Sequence, residues 1–292
     1  MRARRETQGA SEPRYERRIV LFIDFLGFKE LVERTRREPG ALSNLVAAMD
    51  EVGRIGENDP DLHRSQKVTQ FSDCIVVSYR VEEQSAAFWL LNEVAFCVIA
   101  LVERGFLLRG AITVGDLLHT DAHVVGPAMV AAYELESKVA KYPRVIVDPK
   151  VLAVARSAHS PDHSAAEEEQ YVRAFLTRDD DGRDYFDYVA WRSVVEVTGG
   201  TDEYYPGYLR KVHDIIAAGL RHENPGILEK YLWLHAKYVA ELRGFANLPA
   251  KHGYWRQNPG HREALTSLPD LSGLASAATA RIEASRPAGP DR

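Results

Sequence analysis

Cysteine is almost absent. Cys74 and Cys97 are the only two in 292 residues, which excludes a disulfide framework and any cysteine set at metal-ligand spacing, and makes a reducing cytoplasm the expected location. A basic stripe is also missing: formal net charge is −5, so nucleic-acid binding has no electrostatic footprint. Nor is there an uninterrupted apolar run of the roughly 18 to 20 residues that span a bilayer. The most apolar segment, AAFWLLNEVAFCVIALVE, is cut by Asn92 and Glu93 and reads as a core helix. The opening MRARRETQGASEPRYERR mixes Arg with Glu, Gly, Ser and Pro, lacks the apolar core of a signal peptide, and reads as a solvated tail. What remains is ordinary for a folded domain, with 45% hydrophobic and 27% charged residues.

Against that background two aspartates stand out, each at the end of a hydrophobic run: Asp24 in IVLFIDFLGF and Asp73 in KVTQFSDCIVVS. The runs have the β-branched texture of strands buried on both sides, where an ionised carboxylate needs a partner. The first strand, Arg18 to Phe25, leads through Gly27 into the helical segment FKELVERTRRE. A second helix runs from about Leu42 to Gly53, and strand, tight turn and strand then follow from Lys67 to Tyr79, with Ser72 and Asp73 at the turn. A long helix ends at Gly105. FLLRGAITVGDLLH reads as two short strands punctuated by Gly110 and Gly115, GPAMVAAYELESKVAKY as a helix closed by Pro143, and RVIVDP as a strand. This order predicts an α+β fold on the ferredoxin-like plan, a mostly antiparallel sheet with helices over one face. The stretch from Ala158 to Asp184 reads as a surface excursion, and YFDYVAWR as one more strand. The expected organisation is a disordered tail at 1–17, a catalytic domain at 18–197, a helical extension at 198–282 and a disordered end at 283–292.

Asp24 and Asp73 lie far apart in sequence, and pairing of their strands would bring them together as a pair of divalent-metal ligands. The alternative is that both are ordinary strand-end or turn aspartates. After Asp24, the segment FLGF offers backbone N–H groups at a helix start, with Gly27 permitting close approach of an anion. Arg109 beside Gly110 and Arg144 after Pro143 are candidate phosphate clamps, or else surface arginines whose stems pack on the fold.

The segments FIDFLGF, FSDCIVVS, LRGAITVGDLLH, GPAMVAAYELE and YPRVIV, in this order, resemble the class III nucleotide cyclases over about Arg18 to Pro149. The resemblance implies two Mg²⁺ or Mn²⁺ ions held by Asp24, Asp73 and the carbonyl of Phe25. It implies phosphate contacts from the amides of Leu26, Gly27 and Phe28 and from Arg109 and Arg144, and a head-to-tail homodimer with shared active sites. Val130 and Glu134 stand where purine cyclases carry an asparagine and an arginine. Thr69 and His123 stand at the purine-reading positions. These departures, with the GPA opening, the Ala-Tyr pair and the C-terminal helices, are similar to the pyrimidine cyclases of bacterial Pycsar anti-phage systems. That similarity implies conversion of UTP to cyclic UMP, with CTP as the alternative substrate, and a separate effector that reads the cyclic pyrimidine. Thr69, His123 and Tyr133 are the candidate base-pocket residues. A purine nucleotide cyclase is a further alternative, and a non-enzymatic nucleotide-binding module with the same phosphate turn is the opposing expectation.

Overall fold

The computed structural model describes residues 12–55, 64–199 and 202–286. Its centre is β1 (Glu16–Phe25), buried from Arg18 to Ile23. Both faces of that strand are covered, which is why its sequence is continuously apolar rather than alternating. β1 pairs antiparallel with β3 (Cys74–Arg80) on one side and β4 (Leu108–His119) on the other, and β2 (Lys67–Phe71) forms a hairpin with β3. The order β4-β1-β3-β2 is that of a ferredoxin-like unit. Beyond β4 the sheet continues through β6 (Val145–Val147), which is parallel to β4, and then through β8 (Asp184–Phe186) and β7 (Leu176–Arg178). The short β5 (Val124–Val125) pairs back on β4.

One face of the sheet, carrying Ile19, Leu21, Ile23, Ile75 and Val77, packs in the main core with α2 (Ala41–Gly53) and α3 (Ala86–Glu103). By length and composition α3 could cross a membrane, yet most of it is buried inside the fold. The opposite face, with Val20, Phe22, Val76 and Leu117, receives Ala128 and Ala132 of α4 (Pro127–Glu134). The helix sits close because Gly115 has no side chain; a Cβ there would lie 3.2 Å from that of Ala128. Helices therefore cover both faces, not one.

β4 is a single strand of twelve residues rather than two short ones. Gly110 does not break it: a Cβ at that position would meet Ile23 Cγ2 at 2.4 Å and the Phe22 carbonyl at 2.5 Å, so glycine is there to let β1 and β4 approach. Strand β1 starts at Glu16, inside the expected tail, of which residues 1–11 lie outside the described residues. The polar stretch before Asp184 holds α6 (Ala165–Ala174), started by a Ser164–Glu167 capping box, and β7. The YFDYVAWR segment contributes only β8 before α7 (Trp191–Val197) begins.

The C-terminal helices α8 (Tyr205–Gly219) and α9 (Pro225–Asn247) follow the expected periodicity, with Tyr208, Leu209, Leu228 and Leu234 joined to the same core as α3. Between β6 and α6 in the chain lies α5 (Lys150–Ser157), which packs against α6 and α3. After α10 (Gly253–Gln257) and α11 (His261–Thr266), α12 (Ser272–Ser285) runs into the segment expected to be disordered; residues 287–292 of that segment lie outside the described residues.

Candidate active site

The face beneath α4 presents a row of polar side chains across neighbouring strands. Asp24 at the end of β1 is in register with Cys74 of β3 and Arg109 of β4, and cross-strand partners share a face. Ser72 takes a left-handed conformation (φ 53°) to close the β2–β3 turn, and the next residue, Asp73, accepts the Phe25 N–H at 3.3 Å through its carbonyl. The fold therefore brings Asp24 and Asp73 together. Burial pushes the Asp24 carboxyl above its usual range; Arg109 opposes the shift and the charge of Asp73 adds to it.

Arg109 Nη2 lies 3.3 Å from Asp24 Oδ2 and also contacts Glu136 Oε1. Glu136 belongs to a π-helical turn, Leu135–Ala140, that follows α4, and its side chain is 2% exposed. Its pKa is raised, first by burial and then by the charge of Asp24, with Arg109 opposing. Two acids thus share one guanidinium, an arrangement that favours a proton on one of them. Asp24 Oδ1 and Arg109 Nε are nevertheless buried without a hydrogen-bond partner. An unfilled acceptor and an unfilled donor side by side fit a ligand that brings both a cation and an anion.

The donors at this point are hard oxygens, the set that suits Mg²⁺ or Mn²⁺. Among the described residues no group of three or more His, Cys, Asp or Glu is arranged to hold a metal ion. An ion held by Asp24 and Asp73 would accordingly take its remaining ligands from the Phe25 carbonyl, substrate and water. Cys74 follows Asp73 in sequence and is the register partner of Asp24; burial first, then the charges of Asp73, Asp24 and Glu136, push its thiol up to about 12.

Gly27 (φ 75°) caps α1 (Phe28–Thr35) in the left-handed region. The Leu26 amide donates to the Leu107 carbonyl at 2.8 Å and is spent, which corrects its expected phosphate role. Glu30 and Leu31 both donate to the Gly27 carbonyl, at 2.9 and 3.1 Å, which leaves the amides of Phe28 and Lys29 as the orphan donors of this helix start.

Arg144 does not join this site. Its side chain is fully buried, with one Nη on Asp179, the other on Asp181, and Nε donating to the Ala140 carbonyl at 3.2 Å. The guanidinium packs over Tyr142, with its centre 5.2 Å from the ring, and against Trp233 of α9. Asp179 is further bound by Trp233 Nε1 at 2.8 Å and Lys237 Nζ at 2.6 Å. Burial would raise the Asp179 pKa, but these donors hold it below the usual carboxylate range. Arg144 is therefore the centre of a structural cluster joining β6, the β7–β8 turn and α9, its charge already compensated.

Of the expected base-pocket residues, Thr69 lies on the site face of β2, opposite Val76. It bonds His119 Nε2 at 2.8 Å, while His119 Nδ1 bonds Ser78 Oγ at 2.7 Å and Arg18 Nε donates to the same oxygen at 2.8 Å. In the tautomer protonated on Nε2, Ser78 Oγ accepts from Arg18 and donates to Nδ1, and Nε2–H is directed at Thr69 Oγ1. Burial, then Arg18 and Lys67, hold His119 down at about 4, in keeping with a neutral ring. His123 is exposed in the β4–β5 turn, its amide held by Thr120 Oγ1 at 3.0 Å, and the structure does not connect it to Thr69. Tyr133 is exposed on α4 with its ring edge on Phe22, centroids 5.8 Å apart. A cavity of about 970 Å³ lies elsewhere, between Arg80, Trp89 and Tyr171, and includes none of these residues.

No protein-family model matches the chain, and no curated protein does. Solved structures with partial likeness include the adenylyl cyclase CyaB from P. aeruginosa, at 14% identity over 49% of this chain and 82% of that one, TM-score 0.39. Another is the catalytic core of a rhodopsin-guanylyl cyclase with converted specificity in complex with ATPαS, at 18% identity over 48% and 80%, TM-score 0.38. A third is a class III adenylyl cyclase-like ATP-binding protein from Pseudomonas aeruginosa, at 12% identity over 63% and 41%, TM-score 0.40. At such scores the functional assignment rests on the chain's own residues.

Proposed function

We propose that the protein is a nucleotidyl cyclase that converts UTP to 3′,5′-cyclic UMP and pyrophosphate, with CTP as the second substrate. The observation that carries this is the convergence of Asp24, Asp73 and Arg109 at one end of the sheet, where Asp24 Oδ1 and Arg109 Nε are buried and unpaired. In the reaction the ribose 3′-oxygen bonds to the α-phosphorus, the bond to the β-phosphate oxygen breaks, and the hydroxyl proton departs. Asp24 and Asp73 would hold divalent ions, whose chemistry would be Lewis-acid activation of that hydroxyl. Arg109 stabilises charge on the phosphates, and the amides at the start of α1 orient them. Glu136 balances Arg109 when no phosphate is present.

The preference for uracil rests on Thr69. In the tautomer where His119 Nε2–H donates to its oxygen, the Thr69 O–H is left to donate, which suits the O4 carbonyl of uracil. The homodimer is supported by exposed apolar side chains near the site, Phe71 at 53%, Val130 at 60% and Tyr133 at 53% exposure, on the hairpin and on α4. On the family resemblance, the product serves anti-phage defence through a separate effector.

A binding module without turnover is the second reading, favoured by Val130 and Glu134 on the exposed side of α4 and by the sequestration of Arg144. Incubation with ATP, GTP, CTP and UTP separately, with Mn²⁺, distinguishes the two. The cyclase yields pyrophosphate and a cyclic pyrimidine nucleotide, and the module yields binding alone. A monomeric mass in solution at the assay concentration contradicts the shared site.

A further inference from the structure

Glu136 interrupts a stripe that has no need of an acid. Ala128, Ala132, Glu136 and Ala140 recur along α4 and the π-helical turn, all four are buried, and the three alanines pack on the sheet. A fourth alanine would complete that packing, whereas a carboxylate among small apolar side chains requires a cation to offset its burial. Among the described residues Arg109 is the one cation within ion-pair distance of it.

Arg109 Nη2 is divided between two acids, Asp24 Oδ2 at 3.3 Å and Glu136 Oε1. The Asp24 side chain is 20% exposed and that of Glu136 is 2% exposed, so Asp24 is the acid that an incoming ligand can reach and Glu136 lies behind it. Asp24 is pulled two ways. An oxygen engaged by a guanidinium is a poorer ligand for a divalent cation, because a lone pair is used and two cations would share one acid. If Asp24 were the sole counter-charge of Arg109, freeing it would leave a partly buried guanidinium unpaired. Glu136 removes that obstacle, since the guanidinium can give up Asp24 Oδ2 and keep a carboxylate.

We propose that Glu136 is a positioning residue that anchors Arg109 beside Asp24 and so leaves Asp24 free to take a divalent cation. This role rests on Asp24 being a ligand of that cation. It also fits Arg109 Nε, which remains without an acceptor while Nη2 is anchored and is left for an anion.

The test is Mn²⁺ binding to the nucleotide-free full chain, read by electron paramagnetic resonance of the free ion. The proteins are wild type, Asp24→Asn, Glu136→Gln, Glu136→Asp, Arg109→Ala and the Arg109→Ala, Glu136→Gln double variant, each at a temperature where its melting curve shows it folded. Glu136→Gln should weaken Mn²⁺ binding about tenfold, because Arg109 is left with Asp24 as its counter-charge, and Glu136→Asp should recover part of the loss. With Arg109→Ala in place the competing cation is gone, and the same Glu136→Gln change should weaken binding by no more than about threefold. In UTP turnover, excess Mn²⁺ should rescue Glu136→Gln and not Asp24→Asn. An equal loss in both Arg109 backgrounds overturns the proposal, since Glu136 then acts as a plain negative charge. So does unchanged Mn²⁺ affinity in Glu136→Gln when wild type binds through Asp24. Wild type that binds Mn²⁺ no better than Asp24→Asn overturns the metal reading, and the role of Glu136 with it.

Discussion

Asp24 and Arg109 are register partners across β1 and β4, and their side chains meet at 3.3 Å at the end of the sheet where the Gly27 turn begins. The same guanidinium reaches Glu136, so a single cation compensates one buried acid and one partly buried acid. Arg109→Ala should therefore destabilise the fold by about 2 kcal/mol, below the figure for a fully buried pair because its side chain retains some exposure. Glu136→Gln added to it should recover part of that loss, since one uncompensated acid disappears. Urea unfolding of the two single variants and the double variant measures the coupling; additive effects would show that the three groups do not act together.

Arg144→Met tests the structural assignment of the second arginine. It leaves Asp179 buried with Lys237 and Trp233 as its remaining partners, and a loss of about 3 kcal/mol is expected from breaking a buried pair. At a temperature where the variant remains folded, KM for the triphosphate should stay within about threefold of wild type, under 1 kcal/mol. A large rise in KM without loss of stability would restore Arg144 to the phosphate site.

The sequence made some of this legible. Asp24, Asp73 and Arg109 each sit at a strand end, where pairing alone decides what they face, and the strand pattern was strong enough to give the pairing. Glu136 was within reach: Ala128, Ala132, Glu136 and Ala140 recur every fourth residue, a stripe of small residues packed on the sheet and interrupted by one acid. Arg144 was misread because its partners, Asp179 and Asp181, lie in the run TRDDDGRD, whose polarity resembles that of a solvated loop. Gly110 and Gly115 were misread as breaks because an absent Cβ serves close packing as well as turning.

Glu93 sets a pH dependence on the far side of the sheet. It is buried in α3, accepts hydrogen bonds from Tyr79 and Gln66 at 3.1 Å, and is pushed by burial up from 4.5 to about 7. A carboxyl whose folded pKa is raised stabilises while protonated, so its contribution is complete below the unfolded value and is lost as pH rises from about 4.5 to about 7. Glu93→Gln should flatten stability across this window, read from urea midpoints at several pH values. A wild-type midpoint that rises through the window, with the variant following it in parallel, contradicts the assignment.

Thr69→Val removes the hydroxyl that His119 aligns while keeping the side chain's shape. UTP turnover should fall in kcat/KM by about tenfold, the cost of one unmade hydrogen bond to a base. CTP turnover should change little, narrowing the ratio between the two substrates. An equal fall for both would mean that Thr69 supports the hairpin and does not read the base.

The most direct test of the whole account is the fate of UTP with Mn²⁺, followed by ³¹P NMR, for wild type and for Asp24→Asn and Asp73→Asn. Wild type should release pyrophosphate and accumulate a cyclic phosphodiester from UTP, more slowly from CTP and not from ATP or GTP, with both variants at least about a hundredfold slower. Turnover preserved in either variant, or a cyclic product formed only from a purine triphosphate, would contradict it.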